Sequence, residues 1–161
     1  MNLEDVKKKI KPTDRVIMAY KKVIPLQFPV DQETHSDDKP NGLWYAIGTE
    51  WIDYAQENMP STLKSWQFVY KLEINEPRMC LIRNEKQMEK FHNTYGHSRW
   101  VMNADFNSID WASVVKKYSG IEIAPYQGKY RFKYRWYYGW DVASGCIWAR
   151  DGISHIYKVE V

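Results

Sequence analysis

At 161 residues, with 44% hydrophobic and 27% charged side chains, the chain suits one domain with one sizeable core and is too apolar for a disordered segment. A formal net charge of +3 says little about partners by itself. No apolar run approaches the roughly 18 residues that a membrane-spanning helix needs, so no membrane partner is expected.

The two cysteines, Cys80 and Cys146, do not make a disulfide framework, and "MNLEDVKKKIK" lacks the apolar region of a signal peptide. A cytoplasmic monomer with free thiols is the expectation, with a charged N-terminal segment at 1–13 leading a single domain over 1–161. Aromatic side chains make up 16% of the chain, with eight Trp and twelve Tyr. Such residues fill cores, but their flat faces and polar tips also line ligand sites.

In chain order, residues 3–10 read as a short charged helix and "RVIMAY" (15–20) as a buried strand. Residues 21–41, with Pro25, Pro29 and Pro40 and an acidic-polar run, read as a long loop. "GLWYAI" (42–47) predicts a strand and Thr49 an N-cap for a helix over 50–58. "SWQFVYKLEI" (65–74) alternates, with Trp66, Phe68, Tyr70, Leu72 and Ile74 on one face, and "RMCLI" (78–82) is a further strand. Asn84 and Gln87 have the spacing of a capping box before a helix carrying Met88, Phe91 and Tyr95. Trp111, Val114, Val115 and Tyr118 predict a second long helix, with Ser108 as N-cap and Gly120 as stop. "GIEIAPY" reads as a short strand and "KYRFKYRWYYGW" as a period-two strand. "SGCIWA" and "ISHIYKVEV" read as a closing hairpin around Asp151-Gly152. Seven or eight strands at both ends and three helices between them predict an α+β fold with mostly antiparallel sheets.

Several patterns carry candidate chemistry. His35, His92, His97 and His155 lack metal-ligand spacing, so no metal is expected. Cys146, in an apolar strand, reads as a small buried filler. As a strand, "KYRFKYRWYYGW" places Lys129, Arg131, Lys133 and Arg135 on one face, as a solvated stripe or as a contact for the phosphates of a nucleic acid. The intervening aromatics fall on the opposite face. Asp141, between Trp140 and the Ser144-Gly145 pair, either caps a turn or does chemistry. Glu122 points away from its flanking isoleucines, toward water or toward a site.

The segments Gly42-Leu43-Trp44-Tyr45-Ala46, Trp51…Tyr54-Ala55, "FVYKLEI", "MCLI" and "YYGWDVASGCIW" resemble the ADP-ribosyltransferase superfamily, in particular small bacterial and phage proteins of that kind. The resemblance covers roughly 14–161. It implies a split antiparallel β-sandwich of two small sheets with about three helices. It further implies NAD as substrate in the cleft between the sheets, cleavage of the nicotinamide–ribose bond, and transfer of ADP-ribose to a protein or nucleic-acid acceptor. Gly42, Leu43, Trp44 and Tyr45 would then line the NAD site. Tyr20 and Lys21 would occupy the first-strand nucleotide position, with Arg15 and His35 as alternatives. The acid that steadies an oxocarbenium-like transition state would be Asp141 or Glu122, with Ser144 as a polar substitute. The alternative function is a non-enzymatic module that binds single-stranded nucleic acid through 129–138. A carbohydrate-binding sandwich is a third reading.

Overall fold

The structure, a computed structural model, describes residues 1–22, 27–32, 39–98, 100–105 and 107–161. The candidate His35 lies outside the described residues.

The elements run in order α1 (Leu3–Lys8), β1 (Arg15–Ala19), β2 (Leu43–Ile47), α2 (Glu50–Asn58), α3 (Pro60–Leu63), β3 (Phe68–Ile74), β4 (Met79–Ile82) and α4 (Glu85–Tyr95). Four two-residue strands follow: β5 (Gly96–His97), β6 (Trp100–Val101), β7 (Ala104–Asp105) and β8 (Ser108–Ile109). Then come α5 (Trp111–Lys117), β9 (Gly120–Ile123), β10 (Ser144–Ile147) and β11 (Ile153–Val159). The α+β class holds. Seven strands form one sheet in the order β11-β3-β1-β2-β10-β9-β4, antiparallel except for the β4–β9 pair. The short strands pair as two separate ribbons, β5 with β8 and β6 with β7.

The sheet is forced to curl. β3 is second in strand order and β4 last, yet residues 75–78 alone join them. The chain closes this gap by rolling the sheet so that Ile74 and Met79 meet in one cluster with Ile17, Leu43, Tyr45, Tyr70, Leu72 and Ile147. A polar seam stitches the closure: the Asn75 N–H donates to the Gly152 carbonyl at 2.9 Å, and Arg78 Nε to Asp151 Oδ2 at 3.1 Å.

The cross-strand registers put Val16, Met18, Trp44, Ala46, Ser144, Cys146, Ile121, Ile123, Cys80 and Ile82 on the opposite, outer face. Two separate covers protect it. The α1 and α2 helices and Trp66 pack Val6, Ile10, Ile52 and Ala55 against Val16 and Val69. The α4 and α5 helices and the aromatic stretch 130–140 pack against β4, β9 and β10. Local chemistry starts these helices. Asn84 Oδ1 accepts the Gln87 N–H at 2.9 Å, and Asp110, not the expected Ser108, caps α5 by accepting the Ser113 N–H at 3.2 Å. Ser108 instead sits in β8, 2.8 Å from His97 Nε2. Thr49 precedes α2 but makes no side-chain cap; its hydroxyl donates to Asp53 at 2.8 Å.

Three further expectations are corrected. "KYRFKYRWYYGW" is not a strand: it holds two short 3₁₀ helices, Gly128–Tyr130 and Arg135–Tyr137. Its buried members, Tyr130, Tyr134, Trp136, Tyr137 and Trp140, fill the core over β9 and β10. β10 and β11 form no hairpin. β10 lies between β2 and β9, while β11 pairs with β3 at the sheet's edge. Trp66 leaves the β3 face and packs under α2 with Val69.

Glycines allow two close crossings. A Cβ at Gly42 would overlap the Ile147 carbonyl, and one at Gly145 would overlap the Tyr45 ring, which crosses β10 there. Gly145→Ala should therefore push Tyr45 off its path and cost about 1–3 kcal/mol, the usual cost of overpacking. A urea-unfolding midpoint equal to wild type would contradict this.

Candidate functional site

The two covers leave the outer face open over β1 and β2. There the chain forms a cleft of about 300 Å³. Its floor is Val16 and Met18 of β1, Trp44 and Ala46 of β2, and Ser144 of β10. One wall is Trp51 of α2; the other is the segment Gly139–Val142; Lys39 closes the rim.

Strand alternation decides what each residue of the Gly42–Tyr45 segment does. Trp44 faces the cleft and meets Trp140 edge-on, with centroids 4.9 Å apart and planes at 72°. Lys39 Nζ lies 5.5 Å from the centroid of the Trp44 ring, a cation over an aromatic face. Tyr45 points the other way into the curl, as does Leu43, and Gly42 serves backbone packing. Trp51 stacks on Tyr54 at 5.5 Å and 13°.

Asp141 stands in the cleft wall. Arg131 holds it at 3.3 Å through one guanidinium nitrogen, and that guanidinium also lies over the Tyr138 and Phe132 rings at 5.3 and 6.0 Å. Asp141 is therefore an oriented carboxylate beside an apolar, aromatic floor. Glu50, in the first turn of α2, accepts the Ala143 N–H at 2.8 Å and so ties the two walls together. The Ser144 hydroxyl donates to the Val142 carbonyl at 3.0 Å, a local turn bond. Among the described residues, the buried indole N–H of Trp140 has no hydrogen-bond partner.

Glu122 belongs to a different place. It lies on the inner face of the sheet, 1% exposed, and not in water. Its carboxylate accepts from Arg15 Nε at 2.5 Å, from Arg83 at 2.5 Å and from the Tyr45 hydroxyl at 2.9 Å. Burial alone would raise its pKa. The bonds from Arg15, Arg83 and Tyr45 outweigh that and hold the carboxyl below the ordinary glutamate value. Burial and the neighbouring Glu122 push the Tyr45 phenol well above its usual value. Glu122 and Asp141 thus lie on opposite faces of one sheet and cannot serve a single site. Arg15 is likewise committed to Glu122.

Tyr20 and Lys21, at the end of β1, are exposed and lie outside the cleft lining. Lys39, Met18 and Trp51 line it instead, and sequence reasoning did not assign them to the site. Of the four basic candidates, Lys129 pairs with Glu85 at 3.0 Å and points away. Arg131, Lys133 and Arg135 line a second, wider groove of about 760 Å³ that shares Lys39 and Gly139 with the cleft.

Cys146 is fully buried on the cleft side of β10, and desolvation pushes its thiol well up; burial pushes the Cys80 thiol up to about 11. His92 is half-buried, stacks on Tyr134 at 3.8 Å and accepts the Trp136 indole N–H at 3.0 Å. Among the described residues, no three His, Cys, Asp or Glu side chains gather to hold a metal ion. No helix of the described residues is long and apolar enough to cross a membrane. Comparison with known proteins finds no similarity: no family model, no curated protein and no solved structure matches the chain.

Proposed function

We propose that the outer-face cleft binds NAD and that the chain is an ADP-ribosyltransferase or NAD hydrolase. One observation carries this reading. An aromatic cleft with an oriented carboxylate, Asp141, runs through Lys39 and Gly139 into a groove lined with cations. A dinucleotide has the matching shape. Its nicotinamide is flat and cationic and suits the faces of Trp44 and Trp140. Its pyrophosphate suits Lys39, where the cleft opens into the basic groove. Lys39, already over Trp44, supplies at the rim the cation that the family resemblance assigns to the first strand, where the cleft presents the apolar Met18.

In the reaction, the bond between the nicotinamide nitrogen and ribose C1′ breaks, and its electron pair leaves with nicotinamide. An acceptor oxygen or nitrogen, or water, supplies the pair for the new bond to C1′ and releases a proton. Positive charge builds on the ribose as the bond breaks, and Asp141 is the group placed to stabilise it.

The direct test is nicotinamide release on incubation with NAD, read by chromatography, together with the melting temperature. NAD at about 100 times its Kd should stabilise the fold by about 2.7 kcal/mol, roughly 5–10 °C for a chain of this size. Absence of both turnover and a melting shift would sink the proposal.

A further inference from the structure

Beyond Lys39, which a pyrophosphate would meet at the cleft rim, the groove beside the cleft has exposed rings and cations that NAD binding does not account for. Lys39, Arg131, Phe132, Lys133, Arg135 and Tyr138 line it. Four of these are cations, facing, among the described residues, one acid within the groove, Asp105, and one at its edge, Asp141. Phe132 is 84% exposed and Tyr138 53%. Their rings lie 5.8 Å apart, with Arg131 over both. The backbone beneath is held in place: Asn107, itself buried, accepts the Arg135 N–H at 2.8 Å and donates to the Lys133 carbonyl at 3.4 Å. A period-two strand would have sent the aromatics and the cations to opposite sides. The observed turns put members of both sets around one groove.

The geometry points to a single-stranded nucleic acid in this groove, its phosphates against Lys39, Lys133 and Arg135 and its bases on Phe132 and Tyr138. Charge complementarity calls for a polyanion. The solvated rings favour a strand with open base faces, since a duplex hides those faces in its own stack and an acidic peptide has none. The inference stands without the NAD reading. Joined to it, the strand is the ADP-ribose acceptor, held by Lys133 and Arg135 while Lys39 at the cleft rim passes to the NAD pyrophosphate.

The test is fluorescence anisotropy with dye-labelled 12-mers of deoxythymidine and of uridine, in the absence of NAD. With three phosphates engaged, affinity should fall about 20-fold between 50 and 200 mM salt. Phe132→Ala should weaken binding about 5- to 150-fold, the usual range for one lost stacking platform, and leave the melting temperature unchanged. The tighter of the two probes identifies the strand as DNA or RNA. Failure of both probes to bind, a flat salt response, unchanged affinity in Phe132→Ala, tighter binding of a duplex of equal length, or equal displacement by polyglutamate each overturns the inference. Oligonucleotide binding without NAD turnover leaves it intact and rejects only the enzymatic reading.

Discussion

Glu122→Ala should destabilise the fold by about 3–5 kcal/mol, a large share of the 5–15 kcal/mol that holds a typical domain together. The reason is what it leaves behind. Arg15, the less exposed of the two arginines, loses its carboxylate and Tyr45 loses its acceptor inside the curled sheet. Arg83 is more exposed and can turn to solvent, so Arg83→Ala should cost less than Arg15→Ala. Glu122→Gln keeps the volume and serves as the folding-competent comparison. Its pH dependence carries a sign. The folded-state pKa of Glu122 is depressed, so its contribution is fully present above the unfolded value of about 4.5 and is lost as pH falls through the folded value. The stability gap between wild type and Glu122→Gln should therefore be widest near neutral pH and shrink below about pH 4.5. Subtracting the variant removes the common effect of the other carboxylates. A gap that is constant with pH, measured by urea unfolding, would mean that Glu122 is not ionised in the fold. Because Glu122 lies on the far face from the cleft, Glu122→Gln should release nicotinamide at the wild-type rate per folded molecule.

Much of this architecture is legible in the chain because its signals are local. β1, β2, β3 and β4 announce themselves by apolar runs or alternation, and α4 by the Asn84 cap and the Met88–Phe91 spacing. The aromatic stretch 129–140 misleads because two periods coexist in it. Cations and aromatics alternate by two, but the buried rings Tyr130, Tyr134 and Tyr137 also recur at i, i+4 and i+7, and Trp136 and Trp140 are four apart. The helical period matches the burial, and it was the readable signal of the turns actually formed. Contacts from distant elements select it: Phe91 and Trp111 pack on Trp136, and His92 stacks on Tyr134. The fate of Glu122 was not local either. Its partner Arg15 is 107 residues away, and only the curl of the sheet brings them together. Likewise Asp151-Gly152 does mark a turn, but the strands on either side of it pair elsewhere, because closing the sheet matters more than closing a hairpin. In the cleft, Trp44, Trp140 and Asp141 were readable as an aromatic–carboxylate set. Lys39 was hidden in a polar loop, and Trp51 entered only as part of the helix segment Trp51…Tyr54-Ala55, with no role in a site.

Asp141→Asn should lower the rate constant for nicotinamide release by about 100- to 1,000-fold, the range seen when one group aimed at developing charge is removed. The substitution keeps the shape and one acceptor oxygen for Arg131 and removes the negative charge, so it tests charge stabilisation and not packing. Its melting temperature should change little, because the Asp141–Arg131 pair is partly exposed and such pairs contribute at most about 1 kcal/mol. KM for NAD should also stay near wild type, since in the proposed reaction the carboxylate would act on a charge that exists only as the bond breaks. Trp44→Ala should do the reverse, raising KM by removing the face on which the proposed nicotinamide ring would rest in both ground and transition states. Ser144→Ala should change neither by much, as its hydroxyl is engaged with the Val142 carbonyl. Arg131→Lys keeps a positive charge near Asp141 but loses the planar group that lies over Tyr138 and Phe132, so it should give an intermediate rate. If instead Asp141→Asn turns over NAD at the wild-type rate, no acid among the described residues of the cleft stabilises the ribose. The second acid raised by the sequence, Glu122, cannot take its place, because the sheet itself stands between them.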